Sequence, residues 1–289
     1  MTMLVIDLPD PYDFWGSTRS VGPVVAWEGR SVLWWATTTP AGAATLRLAQ
    51  VAAGQVHADA WGDGAEWMLG QARRVLGLDD DPSAFAPPSG FVGDLARRAV
   101  GLHLPRTDRV HEALVTAILG QKVQSDAARQ SLRQLSLRFG ARAPGPRELH
   151  LVPTATVLAS LDYVAFHPCN VERARAERVL AVSRRAAWAE SRTACAELQL
   201  LPGVGPWTAA VTATAAWGDA DAVAVGDYHL ANTVCWALAR EPRGDDARML
   251  ELLEPFRGHR GRVVRLLVQA HISAPKRGPR LAVADFRRR

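Results

Sequence analysis

Ten residues, LLPGVGPWTA from Leu200 to Ala209, constrain this chain more than any other stretch. Gly203 and Gly205 flank Val204, so the backbone there is free to take positive φ and little projects from it. Pro206 follows the second glycine, in the first-turn position where a helix tolerates proline. Trp207, Ala210, Val211 and Thr214 then recur at helical spacing, and RTACAELQL upstream reads as a short helix. The stretch therefore predicts a helix, a tight Gly-Val-Gly turn and a second helix. Such a turn offers bare N–H groups at a helix N-terminus, a place that favours an anion. A plain loop closed by glycines is the other reading of the turn alone.

The occupant depends on charge. The formal net charge is +5, almost all of the positive side being arginine, whose rigid fork suits phosphate. A phosphodiester is the natural ligand of such a turn in a basic protein, although a basic balance by itself also fits a merely solvated surface. No apolar run approaches the roughly 18 residues of a membrane span, so no membrane partner is expected. The acidic start, MTMLVIDLPDPYDFWG, lacks the basic segment of a signal peptide. Cys169, Cys195 and Cys235 are widely spaced and suit a reducing cytoplasm. Three cysteines exclude a four-cysteine iron–sulfur cluster held by this chain alone. Ten tryptophans are expected to lie mostly in the core.

Along the chain, the apolar runs from Val24 to Ala60 read as strands, with a hairpin at VVAWEGRSVLWWATTT. AEWMLGQARRVLGL reads as a helix ending at Gly77, and DDDPSAFAPPSG is a break. Beyond it the pattern is helical. Asp108 is the expected cap of one helix, Ser125 or Asp126 of the next, and Asn170 of a third with a stripe through Ala174, Val179 and Val182. The expected class is α+β: a small N-terminal antiparallel sheet domain over 1–90, then an all-α core of two helical subdomains over 91–289, with the hairpin at 200–209 and a basic, partly disordered tail. Asp227 follows the apolar segment AVAV and opens a further helix through Leu230, Val234, Ala237 and Leu238. Taken alone, its ordinary role is a helix cap.

The motif LPGVGPWTA, Asp227 some twenty positions on, and AILGQKVQSDAA together resemble the helix–hairpin–helix DNA glycosylase superfamily. The resemblance runs furthest with the bacterial inducible 3-methyladenine DNA glycosylase branch, which shares the N-terminal sheet domain, the Asp-Tyr pair and the G-x-G-x-W-T-A pattern. It implies Asp227 as the catalytic carboxylate, a helix N-terminus favouring the anion there. Trp207 and Tyr228 would flank the flipped base, although Trp207 also fits a core position. Gly203, Val204 and Gly205 would hold a DNA phosphate through backbone N–H groups, with Thr208, Gln121 and Lys122 completing the DNA-binding set. The family's monovalent cation would fall on the carbonyls of Gln199, Leu201 and Val204; no catalytic metal or other cofactor is implied. Bifunctional members carry a lysine nucleophile where this chain has Trp207, so the resemblance implies a monofunctional enzyme, a lyase needing an amine.

Three positions depart from the branch. Lys122 stands where an apolar wedge fills the gap left by the flipped base, with Gln121 as the alternative filler. Val211 and Val268 fall where the branch has aromatics, which puts strong 3-methyladenine specificity in question. Arg262 and Arg265 share a helical face that either touches DNA or is solvated; His229 and His271 read as structural. The resemblance implies a monomer acting in the cytoplasm, at the nucleoid, on double-stranded DNA with a damaged base. The competing function is a non-catalytic binder of damaged DNA that uses the same hairpin.

Overall fold

The computed structural model describes residues 3–87, 89–275 and 285–288. Its N-terminal unit is built on a five-stranded antiparallel sheet: β1 (Met3–Asp7), β2 (Val25–Glu28), β3 (Val32–Thr39), β4 (Gly42–Ala52) and β5 (Gln55–Trp61), in the order β1-β5-β4-β3-β2. The β3–β4–β5 meander is buried over most of its length on both faces, so the alternation expected of ATLRLAQV in β4 does not appear in its burial. β1 adds an edge strand whose Met3, Leu4 and Val5 are exposed. The short helix α1 (Phe14–Thr18) and α2 (Ala65–Val75) cover one face. Leu33, Trp35, Leu46, Leu48, Val56, Met68 and Val75 fill the core between them.

The helical part follows as α3 (Phe91–Arg98), α4 (Val110–Leu119), α5 (Ser125–Phe139), α6 (Ala155–Ser160), α7 (Tyr163–Phe166), α8 (Arg173–Ser183), α9 (Ala186–Glu190), α10 (Cys195–Leu198), α11 (Pro206–Trp217), α12 (Leu230–Ala239), α13 (Asp246–Leu253) and α14 (Arg260–Gln269). It divides into two cores, as the class predicts. Helices α4 to α11 close around Leu114, Ile118, Leu135, Phe166, Val179 and Ala209. Helix α3 joins α12–α14 around Val92, Leu95, Val234, Met249, Val263 and Leu267. The chain thus starts one subdomain, builds the other, and returns. Its crossing back, between α11 and α12, carries Asp227.

Several local expectations are corrected. Asp108 does not cap α4: it sits at φ +51° and pairs with Arg74 and Arg106. The α4 N-terminus is satisfied instead by Glu190, whose carboxylate accepts from Val110 N (3.0 Å) and His111 N (3.1 Å). Ser125 is the first helical residue of α5, whose cap position is Gln124. Asn170 ends the preceding 3-10 turn at φ +60°, and Glu172 takes the α8 cap position. Ala174 is exposed, and the buried α8 stripe runs through Arg175, Ala176, Val179 and Val182. Of the tryptophans only Trp34 and Trp35 are buried; the rest are half-exposed.

Arg262 and Arg265 follow neither expected course. Arg262 is buried and pairs bidentately with Asp80, one contact at 3.0 Å. Arg265 donates to the Gly16 carbonyl at 2.8 Å. Both tie α14 to the N-terminal unit. The tail stretch 276–284 lies outside the described residues; beyond it, the Phe286 ring covers the Arg175 guanidinium at 5.3 Å. No helix among the described residues is long and apolar enough to cross a membrane.

Candidate nucleic-acid interface and active site

The hairpin is made as its sequence predicts, and its two glycines are there for different reasons. Leu201 and Val204 bury their side chains in the helical core and anchor the turn. Val204 N donates to Leu201 O at 3.1 Å. Gly203 sits at φ +79°, and a Cβ there would fall 2.5 Å from Arg178 Cγ, so both backbone and space demand glycine. Gly205 is extended (φ −92°, ψ −177°), a conformation open to any residue, and a Cβ there would meet nothing. Nothing inside the protein requires Gly205 to be bare.

Pro206 opens α11 at its first position. The N–H groups of Gly203, Gly205, Trp207 and Thr208 find no acceptor among the described residues. These unspent donors lie at a helix N-terminus, where the sequence predicts an anion site. Val204 leaves that set, because its N–H is consumed inside the turn. Thr208 contributes only its N–H: its side chain is buried and its Oγ1 accepts from Gln121 Nε2 at 2.8 Å.

Gln121 links the hairpin to the turn between α4 and α5. Its Nε2 also donates to Gly203 O (3.0 Å), and its Oε1 accepts from Arg178 Nη1 (2.8 Å). Both ends of the amide are therefore held against the hairpin, and Gln121 is not free to fill a gap in DNA. Lys122, next in the turn, is exposed and takes φ +57°, an uncommon state for a non-glycine residue that clusters at functional turns.

Asp227 and Trp207, twenty positions apart, meet. Asp227 Oδ1 accepts from His229 N (2.9 Å) and Leu230 N (3.0 Å) at the start of α12, and Oδ2 accepts from Trp207 Nε1 (3.1 Å). The cap reading of Asp227 is thus half of its role: one oxygen caps, and the other is turned towards the hairpin helix. Trp207 is half-buried, its ring over Gly120 and its indole N–H on the carboxylate. Tyr228 is 79% exposed, edge-on to His229 at 4.7 Å. Val211 is half-buried in α11 and Val268 exposed at the end of α14. A cavity of about 300 Å³ is lined by Pro206, Ala210, Asp219, Asp221 and Arg260, and reaches none of Asp227, Trp207 or Tyr228. No cluster of metal-ligating side chains occurs among the described residues.

Sequence reasoning missed Arg175 and Arg178. Arg175, 1% exposed, donates to Leu119 O at 2.8 Å and so braces the end of α4 just before Gln121. Their spacing, three apart on a helix otherwise read as a core stripe, was the available signal.

No protein-family model matches the chain. In sequence it is 33% identical over 174 residues to the probable bifunctional transcriptional activator/DNA repair enzyme AlkA of Mycobacterium tuberculosis, covering 55% of this chain and 34% of that protein. It is 28% identical over 168 residues to DNA-3-methyladenine glycosylase 2 of Escherichia coli, covering 55% of this chain and 58% of that one. The chain therefore spans about a third to somewhat over half the length of these curated relatives. In structure it is similar to a 3-methyladenine DNA-glycosylase from Archaeoglobus fulgidus, with a TM-score of 0.78 and 16% identity over 93% of this chain and 98% of that one. It is also similar to a Clostridium acetobutylicum 8-oxoguanine glycosylase/lyase, with a TM-score of 0.72 and 13% identity over 93% and 96%. The chain shares the fold of these solved glycosylases, and in sequence it is similar over 55% of its length to proteins named as a DNA repair enzyme and a 3-methyladenine glycosylase.

Proposed function

We propose that this protein is a monofunctional DNA glycosylase of base excision repair, hydrolysing the N-glycosidic bond of alkylated, 3-methyladenine-like bases in double-stranded DNA and leaving an abasic site. One observation carries the reading: a carboxylate held by three N–H donors stands one indole away from a hairpin whose own donors are unspent. The similarity to proteins named as 3-methyladenine glycosylases supports it.

In the reaction the C1′–N bond breaks and the base leaves with the bonding pair. The sugar takes on oxocarbenium character, and a water oxygen closes on C1′ as its proton departs. A fixed carboxylate beside that sugar stabilises the developing cation without reorganising. Damaged bases also cost less to extrude from the stack. Stacking of a cationic methylated base on the Trp207 indole adds about 0.5–2 kcal/mol, and exposed Tyr228 stands on the adjoining turn as the second wall. With Trp207 in the lysine position there is no amine at that position for a Schiff base, and borohydride is expected to trap no covalent complex.

A monovalent cation fits the hairpin's outer carbonyls in type: Gln199, Leu201 and Val204 offer neutral oxygens at a tight turn. The Leu201 carbonyl, which already accepts Val204 N–H, would offer its second lone pair. In this reading the protein works as a cytoplasmic, nucleoid-associated monomer.

The test is to incubate wild type and Asp227→Asn with an alkylated duplex and identify the released bases by mass spectrometry. The variant keeps an oxygen for the α12 N–H groups. It is expected to bind DNA normally and to lose base release by at least the order of 10²–10³-fold. Release at the wild-type rate by Asp227→Asn would overturn the assignment. A wild type that retains abasic DNA and releases no base would establish the binder instead.

A further inference from the structure

Arg178 lies half-buried on α8, with its side chain crossing the hairpin. Its Cγ and Cδ occupy the space that a Cβ on Gly203 would need, at 2.5 and 2.7 Å, and its Nε would lie 2.9 Å from that Cβ. The bare glycine is therefore the floor on which this arginine rests. Nη1 donates to Gln121 Oε1, its one hydrogen bond among the described residues.

No carboxylate pairs with Arg178 among the described residues. The neighbouring glutamates are taken: Glu172 lies 3.5 Å from Arg175 and Glu177 lies 3.6 Å from Arg173. Arg178 also acts as a like charge on Arg175, whose guanidinium is held below its usual range chiefly by burial and only in small part by Arg178. A half-buried cation without a partner is a poor arrangement unless an anion completes it. Nε and Nη2, which share one edge of the guanidinium, remain to donate. That edge is the fork that takes a phosphate bidentately. Its Nε lies against Gly203, in the same turn whose Gly205, Trp207 and Thr208 N–H groups find no acceptor among the described residues.

We propose that Arg178 is a DNA-phosphate ligand, the side-chain half of the hairpin grip, and that the same guanidinium positions Gln121. Its Nη1 fixes which end of the Gln121 amide is oxygen, and so turns Nε2 onto Gly203 O and Thr208 Oγ1. Phosphate binding at one edge and the Gln121 bond at the other couple the hairpin to the Lys122 turn. The proposal rests on the DNA-binding part of the function proposed above.

The experiment measures binding of the full chain to an abasic-site duplex by fluorescence anisotropy between 50 and 300 mM NaCl. Arg178→Ala and Arg178→Gln should each make the slope of log K against log salt shallower by about 0.9. That corresponds to roughly eightfold weaker binding at 0.1 M, one released counterion's worth. Arg178→Lys keeps the charge and should keep the slope while weakening binding through loss of the fork. Gln121→Ala, which removes the positioning bond but no charge, should also keep the wild-type slope. If Arg178→Ala and Arg178→Gln weaken binding with an unchanged slope, as Gln121→Ala does, Arg178 only positions Gln121 and the phosphate role is overturned. Unchanged binding in all variants overturns both roles. A wild type with no salt-dependent affinity removes the DNA reading itself, which the slope of the wild type alone reveals.

Discussion

Two seams join the parts of this molecule, and they use the same residue types to opposite ends. Where α14 meets the N-terminal unit, Arg262 is buried on Asp80, which also accepts from Leu104 N at 3.0 Å. Beside it the half-buried Arg265 has its guanidinium pushed down to about 10, chiefly by loss of water around it. Where α8, α11 and α12 meet, Arg178 has no carboxylate partner and four N–H groups of the hairpin have no acceptor among the described residues. At Arg262 the first seam is closed on itself, while Arg265 donates to the Gly16 carbonyl and leaves its Nε without a partner among the described residues. In the proposed reading, the second is completed by a DNA phosphate. Arg262 and Arg178 thus differ in whether a carboxylate pairs with them among the described residues, and not in lying on a helical face.

Breaking the closed seam should give the largest effect on stability. Arg262→Met leaves Asp80 buried without its cation and should cost about 3–5 kcal/mol in urea denaturation, whereas Arg262→Met with Asp80→Leu should recover much of it. Equal losses in the single and double variants would show that the pair itself, and not an orphaned charge, carries the stability.

A second buried contact, between β3 and α4, sharpens the contrast through pH. Glu112 accepts from Thr37 Oγ1 at 2.8 Å, and burial pushes its carboxyl up to about 7. Its folded state holds a proton more tightly than its unfolded state, so its contribution is present below pH 4.5 and is lost as pH rises to about 7. His111, one residue away, is pushed down to about 4, chiefly by burial. Its contribution runs the other way, present above pH 6.5 and lost as pH falls to about 4. Each amounts to about 3 kcal/mol at most, and the two nearly cancel between pH 4.5 and 6.5. Glu112→Gln should therefore unmask a stability that climbs with pH across that window, while His111→Gln should unmask one that falls. Profiles parallel to wild type in both variants would break this account.

What was legible in the sequence was local. The β2–β3 hairpin, Pro206 at the first turn of α11 and the Gly-Val-Gly turn all follow from neighbours within a few residues. What escaped depends on distant partners. The α4 cap comes from Glu190, eighty residues on, and frees Asp108 for Arg74 and Arg106. Arg262 finds Asp80 across 182 residues. At the site, Trp207 and Asp227 were each singled out, but the bond between them was not, because no spacing rule places an indole N–H on a carboxylate twenty positions away. Arg178 was invisible for the same reason: its meaning lies in a Cβ that Gly203 lacks.

Within the open seam the effects should be smaller and fall on function. Trp207→Phe removes one of the three donors to Asp227, a charge-assisted bond of about 1.5–3 kcal/mol, and should slow base release by about ten- to a hundredfold. The α12 cap bonds remain, so thermal stability should barely move.

The two glycines give the finest test, since they stand two residues apart and the structure assigns them different reasons. Gly203→Ala meets both a left-handed backbone and the Arg178 side chain, and should lose about 1–2 kcal/mol of stability. Gly205→Ala meets neither. Its extended backbone accepts alanine, and the entropy removed from the unfolded chain should leave stability unchanged or raise it by about 0.4–1 kcal/mol. Any loss must then appear in DNA affinity, because the methyl group projects where a phosphate would approach the bare N–H groups. If Gly205→Ala bound DNA as wild type does, the seam would not be completed at that point by phosphate, and Gly205 would be bare for no reason the protein uses.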